Sequence, residues 1–98
     1  MNYELETTPV FDNWLSKLKD KPARYRIAVR LSRVEQDNFG NHKSLADQLF
    51  ELRFVAHGGL RLYYTIRNGH VVILLTGGNK LGQDKDIAKA RKILDELE

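Results

Sequence analysis

Asn68-Gly69 constrains this chain more than any other pair of residues. It separates 60–67, LRLYYTIR, from 70–76, HVVILLT, two runs of β-branched, aliphatic and aromatic side chains. Both residues tolerate positive φ, which a two-residue hairpin of the correct twist requires. The spacing therefore predicts antiparallel strands over 60–67 and 70–76. A third strand is expected over 49–55, joined through a His57-Gly58-Gly59 turn, so that the three form an antiparallel meander. Alternation then sorts side chains by face. Phe50, Leu52 and Phe54 share a face in the first strand, as do Leu62, Tyr64 and Ile66 in the second. Opposite them stand Glu51 and Arg53, and Arg61, Tyr63, Thr65 and Arg67. The apolar set is expected to meet helices, and the mixed set to open to solvent or to a ligand.

Upstream, Tyr3-Glu4-Leu5-Glu6-Thr7 alternates weakly and reads as a short strand. Thr8-Pro9 opens a helix, because threonine caps and proline suits the first turn. Phe11, Trp14, Leu15 and Leu18 then recur at helical spacing. Asp20-Lys21-Pro22 ends that helix and starts another, with Ala23, Ile27, Leu31 and Val34 as its apolar stripe and its arginines outward. Two helices joined so tightly predict a hairpin. Residues 35–48, EQDNFGNHKSLADQ, read as a long polar loop anchored by Leu45. Ile87, Ala90, Ile93, Leu94 and Leu97 mark a last helix, with Asp84 or Asp86 near its positive end. The expected fold is a single α+β domain over 1–98: an N-terminal strand, a two-helix hairpin, a three-stranded meander and a C-terminal helix, with helices on one face of the sheet.

Ninety-eight residues with 42% hydrophobic and 30% charged content describe an ordinary globular domain. No apolar run approaches the ~20 residues of a membrane span. The opening MNYELETTPV is acidic and lacks an apolar stretch, so no secretory signal is expected. The absence of cysteine excludes disulfides and thiolate metal sites and suits a reducing cytoplasm. Net charge is only +3, but 17–33 carries seven basic residues against one acid, Asp20. Such a segment suits a phosphate backbone or an acidic partner.

His42, His57 and His70 are isolated, so no metal site is expected, and Ser16, Ser32 and Ser44 lack a nucleophile elbow. Gly77-Gly78-Asn79-Lys80 lacks the full phosphate-loop pattern. RNA cleavage by the RNA's own 2′-hydroxyl remains open. It needs cations fixed around a phosphate and groups that move protons. Arg53, Arg61 and Lys80 are candidates for the first task, His57 and Tyr63 for the second. No cofactor is implied.

The succession FDNWLSKLKD, ARYRIAVRLSR, GNHKSL, FELRF, GLRLYY, VVILLTGGNK and QDKDIAKA, spread over residues 11–93, resembles the RelE/ParE superfamily of type II toxins. It is most similar to the HigB-like branch of addiction module killer proteins. The resemblance implies a sheet of three to four strands with two N-terminal helices and one C-terminal helix. It also implies a small cognate antitoxin, helix-turn-helix and HigA-like, and an mRNA endonuclease that acts on the ribosome. In such mRNA cutters the residues matching Arg61 and Lys80 contact the reacting phosphate, and Arg53 falls in the matching basic strand. Contacts to RNA or ribosome are expected of Arg24, Arg26, Arg30, Arg33, Arg67 and Lys43. The chain departs from the RelE pattern in having Glu51 where lysines are common and no tyrosine late in the last helix. The general base therefore stays open between His57 and Tyr63. Alternative readings are a ParE-like poison of DNA gyrase, or a non-toxic remnant that binds RNA or protein.

Overall fold

The computed structural model describes residues 2–97. Its elements are β1 (Glu4–Thr7), α1 (Pro9–Lys17), α2 (Lys21–Glu35), β2 (His42–Ala46), β3 (Leu49–Arg53), β4 (Arg61–Arg67), β5 (Val71–Gly78) and α3 (Gln83–Leu97), with a 3₁₀ turn at Lys80–Gly82 before α3. The strands form one sheet in the order β1-β5-β4-β3-β2. β1 runs parallel to β5, and every other pairing is antiparallel. The hairpin turns as its sequence requires, with φ of 55° at Asn68 and 70° at Gly69. No helix among the described residues is long and apolar enough to cross a membrane.

Both helix starts follow from local chemistry. The Thr8 hydroxyl accepts from the Phe11 N–H at 3.1 Å and donates to the Leu75 carbonyl at 2.7 Å. Leu75 sits where the β4–β5 register shifts, so its carbonyl is available to the cap. Asp20 caps α2 by accepting from the Ala23 N–H at 3.1 Å. Arg24 in turn donates to the carbonyls of Leu15 and Leu18, closing the end of α1.

Three expectations need correction. Residues 35–48 are not all loop, because 42–46 form β2, which pairs with β3 at the edge of the sheet. An edge strand open to solvent along most of its length needs no apolar alternation, and HKSLA has none. The mixed face is also not open. Phe11, Ala23, Ile27 and Val34 cover one side of the sheet, against Leu52, Leu62, Tyr64, Val72 and Leu74. On the other side Ala90 and Leu94 of α3 pack on Leu49, Tyr63 and Leu75. Helices therefore cover both faces. Each buried leucine of these two cores stabilises the fold by about 1.5–3 kcal/mol.

Arg30 does not face outward with the rest of its helix. It donates to the carbonyls of Phe39 (3.0 Å), Arg53 (2.8 Å) and Asn41 (2.6 Å), with its guanidinium 4.8 Å from the Phe54 ring centre. One side chain thus binds α2, the 36–41 loop and the end of β3 together.

A tight packing constraint lies at the end of β5. A Cβ on Gly77 would fall 2.5 Å from the Trp14 ring. Gly77→Ala should therefore cost on the order of 1–3 kcal/mol, seen as a lower denaturant midpoint at an unchanged m-value. A midpoint equal to wild type would show that Trp14 does not hold α1 against the sheet.

Candidate active site

Cross-strand pairing brings two rows of side chains together under and beside the start of α3. One row is Lys43, Glu51, Tyr63 and Thr76; the next is Arg53, Arg61 and Gly78. Glu51 is fully buried at 0% exposure. Its carboxylate accepts from Arg53 Nε at 2.9 Å, from Arg61 Nη1 at 2.9 Å and from Gln83 Nε2 at 3.1 Å. A carboxylate this deep is tolerated because charged and neutral donors occupy it from three directions. The arrangement leaves one positive charge in excess.

Arg61 is the more enclosed of the two arginines, its side chain 11% exposed against 34% for Arg53. Its Nε–H is buried and meets no acceptor among the described residues. An unmade bond of this kind is unfavourable by about 1–3 kcal/mol.

Lys80 is held at the same end of the sheet through its backbone. Its N–H donates to the Gly58 carbonyl at 3.2 Å. His57, Gly58 and Gly59 all adopt φ between 60° and 73°, which turns the β3–β4 connection back toward it. A Cβ on Gly59 would lie only 2.8 Å from Lys80 Cβ. The Asn79 side chain caps the 3₁₀ turn by accepting from the N–H groups of Leu81 and Gly82. The Lys80 side chain is exposed.

The two candidate proton carriers are placed elsewhere. Tyr63 is 0% exposed beneath α3, and its hydroxyl has no partner among the described residues. Burial, with the charges of Glu51 and Asp86, pushes its pKa up to about 12. A sealed phenol that resists ionisation is not a proton acceptor, so the expectation of an exposed Tyr63 is corrected. His57 places Nδ1 3.2 Å from Asp20 Oδ2, at the junction of α1 and α2. It is thus engaged outside the cluster formed by Glu51, Arg53 and Arg61.

The expected RNA contacts divide likewise. Arg26 and Arg33 are exposed on α2. Arg26, Arg30 and Arg53 line one cleft of about 240 Å³ with Asn41, Phe54, Val55 and Ala56. The neighbouring hollow, lined by Tyr25, Arg26, Arg30, Arg33 and Phe54, continues it along α2. A basic groove therefore runs from Arg53 to Arg33. Arg24 and Arg30 are used in holding the fold. Lys43 lies exposed on the edge strand, directly across from Glu51. Arg67 stands at the opposite end of β4 from Arg61, about 20 Å away at strand spacing. Sequence reasoning missed Glu51 and Gln83 as members of the cluster. Glu51 gave a signal, a lone acid on a face that otherwise gathers arginines, but Gln83 gave none.

Residues 13–97 match the family described as phage derived protein Gp49-like (DUF891). An uncharacterized protein of Haemophilus influenzae is 46% identical over 97 residues, with 99% of this chain and 98% of that protein covered. In three dimensions the chain resembles a mutant of the Escherichia coli toxin RelE in the free state, with a TM-score of 0.74 at 19% identity over 94% of this chain and 97% of that one. It also resembles the toxin-antitoxin complex RelBE2 from Mycobacterium tuberculosis, with a TM-score of 0.63 at 19% identity over 82% of this chain and 100% of that one. This α+β chain therefore belongs to the phage-derived Gp49-like family and has the fold of the RelE toxins.

Proposed function

We propose that the protein is the toxin of a type II toxin-antitoxin pair, a cytoplasmic endoribonuclease of the HigB-like kind that cuts mRNA on the ribosome by attack of the RNA's own 2′-hydroxyl. The observation that carries this reading is Arg61: a nearly enclosed guanidinium preset by Glu51, at the same end of the sheet as Arg53 and Lys80. Cations fixed before the substrate arrives stabilise charge that develops on a phosphate without reorganising. Arg61 and Arg53 would hold the scissile phosphate, and the exposed Lys80 would meet it from the other side. The groove from Arg53 to Arg33 would follow the flanking strand or the ribosomal RNA. The same basic groove suits an acidic segment of a HigA-like antitoxin, which would compete for it. That RelBE2 is a toxin-antitoxin complex supports the expectation of such a partner.

Primer extension on mRNA from a reconstituted translation reaction, with and without ribosomes, tests the reading. Cuts at ribosome-bound codons are expected with wild type and only when ribosomes are present. Arg61→Ala and Lys80→Ala should each lower the cutting rate by about 10²–10³, with circular dichroism unchanged. Uncut mRNA with wild type, or full activity in both variants, would contradict the assignment.

Two further substitutions separate structure from chemistry. Tyr63→Phe removes a buried hydroxyl that has no hydrogen-bond partner among the described residues and should leave cleavage and stability at or slightly above wild type. A large loss of cleavage in a folded Tyr63→Phe protein would return Tyr63 to the reaction. Glu51→Ala should destabilise the fold by about 3–5 kcal/mol, because it leaves Arg53 and Arg61 facing each other across the strands. A denaturation midpoint close to wild type would show that Glu51 does not hold them.

A further inference from the structure

We propose that Asp86 is the general base of this cleavage, held over Gly78, the cross-strand partner of Arg61, in a cradle that Gly82 completes; the assignment rests on the endoribonuclease reading above. The other groups at the mouth do not fill that role. Glu51 is committed to three donors, Tyr63 is sealed beneath α3, and His57 turns Nδ1 to Asp20 at the α1–α2 junction with its Nε2 buried. Asp86, in the first turn of α3, forms no ion pair within 4.0 Å among the described residues.

Room for its carboxylate is built by two glycines from different elements. A Cβ on Gly78 would lie 1.9 Å from Asp86 Oδ2, and one on Gly82 would lie 3.1 Å away. Any side chain at position 78 would displace the carboxylate. Gly78 is the cross-strand partner of Arg61, and Gly82 closes the turn that begins at Lys80. The carboxylate thus rests over the strand position next to the phosphate-binding arginine and one short turn from the lysine.

The surroundings raise its proton affinity. Burial lifts the Asp86 pKa above the ordinary carboxylate value, against Lys89 and Lys85 on its own helix. From the sheet, the Tyr63 phenol responds to Asp86 together with Glu51, Arg61 and Arg53. Lys80 stands on the adjoining turn. A carboxylate that holds its proton more tightly than usual is the stronger base once ionised.

In the proposed step the Asp86 carboxylate takes the proton of the 2′-hydroxyl as the 2′-oxygen bonds to the neighbouring phosphorus. The bond from phosphorus to the 5′-oxygen breaks, and that oxygen takes a proton from water. The products are a 2′,3′-cyclic phosphate and a 5′-hydroxyl, and Asp86 returns its proton to solvent. No oxidant or second substrate enters.

Single-turnover cleavage of mRNA on purified ribosomes, followed from about pH 5 to about pH 8, tests the assignment with wild type and Asp86→Asn. The wild-type rate should rise with pH and level off above the ordinary carboxylate range. The amide, of the same shape, should cut about 10²–10⁴ times more slowly and lose that rise. Its stability gives an independent readout. A carboxyl with a raised folded pKa makes the fold less stable as pH climbs from its unfolded value through the folded one. Asp86→Asn lacks that decline, so the inactive variant should melt at or above the wild-type temperature at neutral pH, which loss of a merely structural carboxylate would not give. An Asp86→Asn protein within a few-fold of wild type would overturn the role of Asp86 while leaving the nuclease intact. Wild type that cuts nothing on ribosomes would remove the endoribonuclease reading itself.

Discussion

One carboxylate, that of Glu51, organises the mouth of this sheet. It is removed from water, and its strand neighbours Arg53 and Arg61 would otherwise confront each other as like charges in register. With Glu51 between them, both guanidiniums gain a fixed direction before any substrate is present. Gln83 joins the same oxygen that Arg61 uses, so the first turn of α3 is tied to the centre of the sheet. Burying a carboxylate this way stabilises the fold less than an apolar contact of equal volume would. What it provides is preorganisation, which fits a site meant to hold a phosphate rather than a core meant only to be stable.

α3 completes this arrangement by closing most of the face that carries the arginines. Leu94 and Ala90 seal Tyr63 and Leu75, while the first turn of the helix reaches Glu51 and Gly78 at the strand ends. Lys80 at that end of the sheet and Arg26 and Arg33 along α2 remain exposed. Arg30, bonded to three carbonyls, links the two regions, since it fixes the end of β3 from which Arg53 projects. The groove and the mouth are therefore one continuous basic surface built on rigid elements.

Much of the fold was legible because local rules and tertiary structure agree. Asn68-Gly69 takes the positive φ values that its hairpin requires, and Thr8 and Asp20 cap the helices they precede. The apolar stripes of α1 and α2 meet the apolar strand face as alternation predicts. β2 was not legible, because an exposed edge strand is held by backbone bonds that leave no trace in side-chain pattern. The covering of the mixed face was hidden for a related reason: alternation separates faces but does not say which helix lies on which. At the site, Arg61, Arg53 and Lys80 could be read as a basic group, and the structure gathers them at one end of the sheet. The paired state of Arg61 could not, since it depends on Glu51 in a different strand and Gln83 in a different element. Arg30 illustrates the same limit, because nothing in its spacing distinguishes an arginine that stitches carbonyls from one that waits for a ligand.

The chemical identity of the cut ends tests the central claim most directly. If cations at the mouth stabilise attack by the RNA's own 2′-hydroxyl, the upstream fragment will carry a 2′,3′-cyclic phosphate and the downstream fragment a 5′-hydroxyl. Mass spectrometry of a short mRNA cut on the ribosome reads both ends at once. Fragments ending in a 3′-hydroxyl and a 5′-phosphate would mean that water is the nucleophile, and would contradict the account given for Arg61, Arg53 and Lys80.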